Sequence, residues 1–170
     1  FNIDLLEQDL KSVRTLVPFG GTFGNCISVT QIPNSMDDPR GIFWIPQENG
    51  TEEQREKHVD ESKYTLFNPL FEQTYFKTLY EQLLTKYDLG RVRILKLEPR
   101  SCLSYHRDPE PRIHIPLITN PGALMIIDQF ATHLPADGGV YYTNTLKYHS
   151  VLNGGETERI HLVATILNQK

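Results

Sequence analysis

The hydrophobic period of the chain changes near Gly90. Before it, apolar residues recur at helical spacing. Ile3, Leu6, Leu10 and Val13, widened by Leu5, predict a short helix over residues 2–14 that ends before Pro18 and Gly20-Gly21. Residues 23–30 are strand-like, with Ile27 and Val29 sharing one parity. Leu70, Phe71, Phe76, Leu79, Leu83 and Leu84, with Tyr75 and Tyr80 at the margin, predict a helix over 68–88. Asn68 is its expected cap, Pro69 suits its first turn, and Gly90 allows a left-handed stop. After Gly90 the period becomes two. Strands are expected over 91–98, 102–108, 112–119, 123–128, 140–143, 147–152 and 158–167, with a short one at 132–134. Asn120-Pro121-Gly122, Asp137-Gly138-Gly139 and Asn153-Gly154-Gly155 supply turns. Short strands at such even spacing point to a β-barrel or double-sheet jelly roll and away from a parallel α/β sheet.

Between the predicted helices, residues 31–63 lose all periodicity. The stretch holds an acidic run of Glu48, Glu52, Glu53, Glu56, Asp60 and Glu61, and one short candidate strand, Gly41 to Pro46. It reads either as a solvated loop, with His58 exposed, or as a substrate-facing flap with Trp44 as a contact.

At 170 residues the chain is expected to form one domain, with 1–90 giving helices, loop and substrate wall and 91–170 a metal-binding barrel core. A net charge of −4 and the absence of a basic, aromatic groove argue against a nucleic-acid partner and against a demethylase of bases. No apolar run reaches membrane-span length. Cys26 and Cys102 show no metal-binding spacing and read as two free thiols of a cytoplasmic protein. A monomer or weak dimer is expected.

The candidate chemistry lies between Tyr105 and His161, where five of the six histidines fall. On a strand, residues two apart face one side, so His106 pairs with Asp108, Arg112 with His114, and Arg159 with His161. Ile113, Ile115 and Leu117, and Ile160, Leu162, Ala164 and Ile166, face the other way. Ordinary exposed faces carry mixed Lys, Glu, Thr and Ser, whereas here Arg and His pair twice. Two histidines and one carboxylate suit Fe(II) and leave positions open for substrate and O₂. His106-x-Asp108 with a later histidine, His149, ten residues before Arg159, is such a set. Arginine's planar fork matches a carboxylate. His133, beside a turn, reads as structural, and His161 as either a lining or a supporting residue. Arg107 has the opposite parity to His106 and Asp108 and is expected to face away from the metal. With Arg100 it hints at an acidic group on the substrate.

Residues 91–163 resemble the aspartyl/asparaginyl β-hydroxylase family of Fe(II)/2-oxoglutarate-dependent oxygenases. The resemblance rests on His106-Arg107-Asp108, Arg112-Ile113-His114-Ile115-Pro116-Leu117, Thr119-Asn120-Pro121-Gly122, His133-Leu134-Pro135-Ala136, Asn144-Thr145, His149 and Arg159-Ile160-His161-Leu162, in the expected order. It implies a double-stranded β-helix of cupin type with His106, Asp108 and His149 as iron ligands. Arg159 would grip the distal carboxylate of 2-oxoglutarate, and Arg112 and His114 would lie near its C1 carboxylate. The family hydroxyl that assists this arginine has no counterpart at the aligned Leu95. The implied reaction hydroxylates an amino-acid side chain of a peptide, protein or free amino acid, with O₂ consumed, succinate and CO₂ released, and ascorbate supportive. The alternative is a cupin-like metal-binding or sensor module without oxygenase activity, in which the same ligands would hold Zn²⁺ or Mn²⁺.

Overall fold

The computed structural model describes residues 1–20, 24–35, 41, 43–55 and 60–170. His58 and Glu56 lie outside them. Helix α1 (Ile3–Leu16) begins where the Asn2 side chain accepts the Leu5 N–H at 3.2 Å. It buries Leu6, Leu10 and Val13, while Leu5 stays exposed. The helix expected over 68–88 is instead a 3₁₀ turn, a shorter helix and, from Tyr87, the start of a strand. A 3₁₀ turn, Pro69–Phe71, is capped by Asn68. Helix α2 (Tyr75–Leu84) follows and buries Phe76, Leu79 and Leu83. Its first free N–H, from Tyr75, is accepted at 2.6 Å by Asp9 of α1, so the two helices cap as well as pack.

The strands are β1 (Cys26–Ser28), β2 (Thr30–Gln31), β3 (Phe43–Pro46), β4 (Glu52–Arg55), β5 (Leu66–Phe67), β6 (Tyr87–Leu97), β7 (Ser101–Cys102), β8 (Arg112–Ile118), β9 (Ala123–Ile127), β10 (Phe130–His133), β11 (Tyr141–Thr143), β12 (His149–Asn153) and β13 (Arg159–Gln169). They form a five-stranded sheet ordered β1-β6-β13-β8-β11 and a four-stranded sheet ordered β10-β9-β12-β7, with every pairing antiparallel. The result is a double-stranded β-helix of cupin type. Two short antiparallel pairs, β2-β5 and the β3-β4 hairpin, complete the chain.

One face of the large sheet is covered by the helices. Val92, Ile94, Ile113, Ile115, Leu117, Ile160, Leu162 and Ala164 meet Leu6, Leu10, Phe71, Phe76 and Leu79 in one apolar cluster. Each such buried side chain stabilises the fold by about 1.5–3 kcal/mol. The opposite face looks toward the small sheet. There a second cluster, Leu97, Met125, Leu134 and Val151, closes part of the space and leaves a cavity beside it.

Several departures from the sequence reading appear in the strands. Strand β6 starts at Tyr87, three residues before Gly90, because β13 runs on to Gln169 and pairs with it there. Gly90 has no left-handed backbone; a Cβ there would lie 2.6 Å from Glu61 Oε2, so close packing explains the glycine. The strand expected over 102–108 shrinks to β7, and His106 and Arg107 join the fold through isolated bridges. Strand β4 was not expected, since all four of its residues are exposed. Cys26 and Cys102 form no disulfide. Among the described residues, no helix is long and apolar enough to cross a membrane.

Candidate metal and dicarboxylate site

His106 and His149 are brought together by backbone first. Each donates its N–H to the other's carbonyl, at 3.0 and 2.7 Å, and the two rings lie 4.3 Å apart. Asp108 enters from the loop after His106, fixed by its own N–H donated to Thr145 O at 2.8 Å. The three side chains offer ligand atoms that all lie within 4.8 Å of one another. Nδ1 of His106 meets Ser104 O at 2.6 Å and Nδ1 of His149 meets Lys147 O at 3.0 Å. These bonds place the ring proton on Nδ1 and leave the Nε2 lone pair of each facing Asp108, at 3.9 and 3.4 Å. The donor set therefore fits an Fe(II)-type divalent ion: two imidazoles and one carboxylate on one side, with other positions open.

Asp108 is buried, which pushes its carboxyl up. Arg112, bonded to Oδ1 at 2.8 Å, together with His149 and His106, outweighs burial and holds it at about 2. Arg112 thus serves the metal trio directly, in addition to bordering the cavity. Burial lowers the His106 imidazole, which also favours the form that binds a metal.

The trio lines a cavity of about 290 Å³ between the sheets, shared with Arg112, His114 and Arg159. Register explains the company. Val163 on β13 lies opposite His114 on β8 and Arg93 on β6, and cross-strand neighbours face the same side. Arg159 is buried, and among the described residues it has no carboxylate partner; its Nη2 donates to His161 Nδ1 at 2.8 Å. Burial lowers its guanidinium to about 10. An arginine held this way is suited to an incoming carboxylate.

His161 does not line the cavity. It lies behind Arg159 and against His114, with Nδ1 to Nδ1 at 3.4 Å. His133 stands apart from the metal trio, its Nδ1 on Ala123 O at 3.0 Å. Leu95 sits opposite His161 and offers no hydroxyl to Arg159.

The β3–β4 hairpin walls the metal side. Trp44 and Arg107 exchange backbone hydrogen bonds, both 2.9 Å, and the Arg107 guanidinium lies 4.5 Å over the indole. Arg107 also grips Glu52 with two bonds of 2.6 and 2.5 Å, and Tyr148 donates to the same carboxylate at 2.6 Å. Arg107 first, then Tyr148, hold Glu52 at about 2. The side chain that meets the metal site is therefore Phe43, edge-on to His106 at 5.2 Å, and not Trp44. Arg107 and Arg100 are both engaged, Arg100 by Glu156 at 2.6 Å, so neither supports the expected acidic substrate group.

Sequence reading missed Arg93, Ser104, Lys147 and Phe43. Arg93 carried a usable signal, since Arg91 and Arg93 alternate with Val92 and Ile94. The carbonyls of Ser104 and Lys147 carried none, because any residue offers one.

The family model for aspartyl/asparaginyl beta-hydroxylase matches residues 58–169, beginning well upstream of the resemblance seen in the motifs. No curated protein matches the sequence. Solved structures that are similar include the following three. A 2OG-Fe(II) oxygenase family oxidoreductase from Burkholderia pseudomallei is 16% identical, with a TM-score of 0.48 over 93% of this chain and 76% of that one. A cupin domain from Bordetella pertussis Tohama I is 20% identical, with a TM-score of 0.41 over 48% and 84%. A cupin 2 conserved barrel domain protein from Salinispora arenicola is 18% identical, with a TM-score of 0.38 over 45% of this chain and 61% of that one.

Proposed function

The chain belongs to the aspartyl/asparaginyl β-hydroxylase family, and from that premise we propose that it is an Fe(II)- and 2-oxoglutarate-dependent dioxygenase hydroxylating an amino-acid side chain. The substrate is a peptide, a protein or a free amino acid, met by a monomer or weak dimer in the cytoplasm. One observation carries the reading. A buried guanidinium with no carboxylate partner among the described residues, Arg159, shares a cavity with the His106, Asp108 and His149 trio. A metal-binding module without oxygenase activity needs the trio but has no use for that arginine.

His106, Asp108 and His149 would hold the metal through Nε2, a carboxylate oxygen and Nε2. The metal, when bound, supplies the redox chemistry with O₂, in which 2-oxoglutarate leaves as succinate and CO₂ and ascorbate supports turnover. The residues do the rest. Arg159 receives the distal carboxylate with its planar fork. Arg112 fixes Asp108 by the bond to Oδ1, so that the other oxygen stays aimed at His149. His114 and Arg112 border the place for the second carboxylate.

Anaerobic calorimetry of 2-oxoglutarate into Mn(II)-loaded protein tests the reading, followed by succinate release with Fe(II) and O₂. A mass-spectrometric search for +16 Da products identifies the substrate. Asp108→Ala and His149→Ala are expected to lose stoichiometric metal while His133→Ala keeps it. Absence of any 2-oxoglutarate binding overturns the proposal.

A further inference from the structure

Two buried histidines stand outside the metal trio, and their hydrogen bonds specify where the protons are. An arginine only donates, so the 2.8 Å contact from Arg159 Nη2 makes His161 Nδ1 an acceptor. The neutral His161 ring then carries its proton on Nε2. That atom is fully buried and has no hydrogen-bond partner. The His114 Nδ1 lies 3.4 Å from the same lone pair, so it must be the protonated nitrogen of its own ring. The remaining lone pair, on His114 Nε2, belongs to a residue that lines the cavity. In the free protein, therefore, His114 offers an acceptor where an anion needs a donor.

Charge explains why the mismatch persists. His114 is faced by Arg159, Arg112, His149 and Asp108, and His161 by Arg159, His114 and His133. Burial first, then Arg159, then Arg112, keep the His114 imidazole well below its usual range. Burial, Arg159 and His114 do the same to His161. A dicarboxylate on Arg159 would cancel the largest of these charges. It would also place an oxygen where a donor on His114 is useful.

We propose that His161 is a positioning residue which, as a pair with His114, takes up one proton when a dicarboxylate is seated on Arg159. The proton comes from solvent. It leaves one Nδ1–H shared between the rings and puts an N–H on His114 Nε2, toward the ligand. His161 thereby does two things: it holds Arg159 in place before binding and shares the added charge after it. This rests on the proposed 2-oxoglutarate cosubstrate.

The test is calorimetric and independent of turnover. 2-Oxoglutarate is titrated into Mn(II)-loaded protein without O₂ at pH 7, in buffers of low and high ionisation enthalpy. The buffer dependence of the heat is expected to report uptake of about one proton per site, and affinity is expected to weaken by up to about tenfold per pH unit as pH rises. His161→Gln keeps an acceptor for Arg159 but no second ring to share the added charge with His114; binding should survive with clearly reduced proton uptake. His161→Leu should bind more weakly, also with reduced uptake, and thermal unfolding of both variants checks the fold. Binding to the native protein with no net proton uptake overturns the inference and leaves the cosubstrate reading standing. Undiminished uptake in a folded His161→Gln also overturns it. No binding of 2-oxoglutarate overturns both.

Discussion

Arg159→Met is expected to raise the stability of the free protein while removing its response to 2-oxoglutarate. Burial lowers the guanidinium from its usual value to about 10. This corresponds to a penalty of about 3 kcal/mol on the charged form. For a base whose folded value is depressed, the penalty is fully present below the folded pKa, so it acts at neutral pH and fades only above pH 10. Methionine keeps the apolar stem and drops the charge. Against this, the bond to His161 is lost, which costs about 1–2 kcal/mol with its acceptor left buried. The net expectation is a gain of about 1–2 kcal/mol, or about 2–8 °C in melting temperature for a chain of this size. The assay is thermal unfolding of native and variant protein, each with Mn(II), with and without 2-oxoglutarate. Ligand at a hundred times its Kd should add about 2.7 kcal/mol to the native protein and nothing to the variant. A variant that melts lower than the native protein and is still stabilised by 2-oxoglutarate would refute both halves of the reasoning.

Stability should also fall in mild acid. The folded values of His114 and His161 are depressed, so the unfolded chain binds more protons as pH drops below 6.5; stability should fall steadily from pH 7.5 to 5.5, measurable as a lowered urea midpoint of metal-free protein at constant slope. Glu61 and Arg91 form a buried pair, reinforced by the Arg91 N–H on Glu61 Oε2 at 2.8 Å; Arg91→Met or Glu61→Gln should cost about 3–5 kcal/mol by leaving one charge or polar group buried alone, and a loss under 1 kcal/mol in equilibrium unfolding would contradict that. Glu52→Gln should loosen the β3–β4 hairpin with little change in melting temperature, because the latch with Arg107 is partly exposed. The chain has a single tryptophan, Trp44, stacked under Arg107, so a red shift in its emission is the expected readout.

Alternation made the barrel half legible. The parity of Ile113, Ile115 and Leu117, and of Ile160, Leu162 and Ala164, placed those residues in the core where they are found. Legibility failed where tertiary pairing overrode local signals. Gly90 looked like a helix stop, yet β13 extends β6 across it, and the glycine answers to Glu61. The run Leu70 to Leu84 kept helical spacing through Phe71 and Phe76, which hid the break between the 3₁₀ turn and α2. Strand β4 carries Glu-Glu-Gln-Arg with no buried face, so no period could reveal it. The metal trio was legible because His106 and Asp108 sit two apart and His149 follows on a later strand. That His106 and His149 share backbone bonds was not legible, since amide and carbonyl leave no trace in side-chain order.

What the alternation could not say is that both faces of β13 are buried. A strand with one polar face normally turns that face to water. Here Arg159, His161, Val163 and Thr165 are as buried as Ile160, Leu162 and Ala164 on the other side. A polar face inside the protein must find partners or remain open to a ligand. Part of this one is internally matched, Arg159 to His161 and His161 to His114. Part is not, since among the described residues His161 Nε2 and Thr165 Oγ1 have no partner and Arg159 has no carboxylate. A structural sheet would have replaced these groups with valine or isoleucine at a gain in stability. Their place between two sheets, in register with His114 and beside the His106, Asp108 and His149 trio, is what suits the Arg-Ile-His strand to the anion of the proposed function.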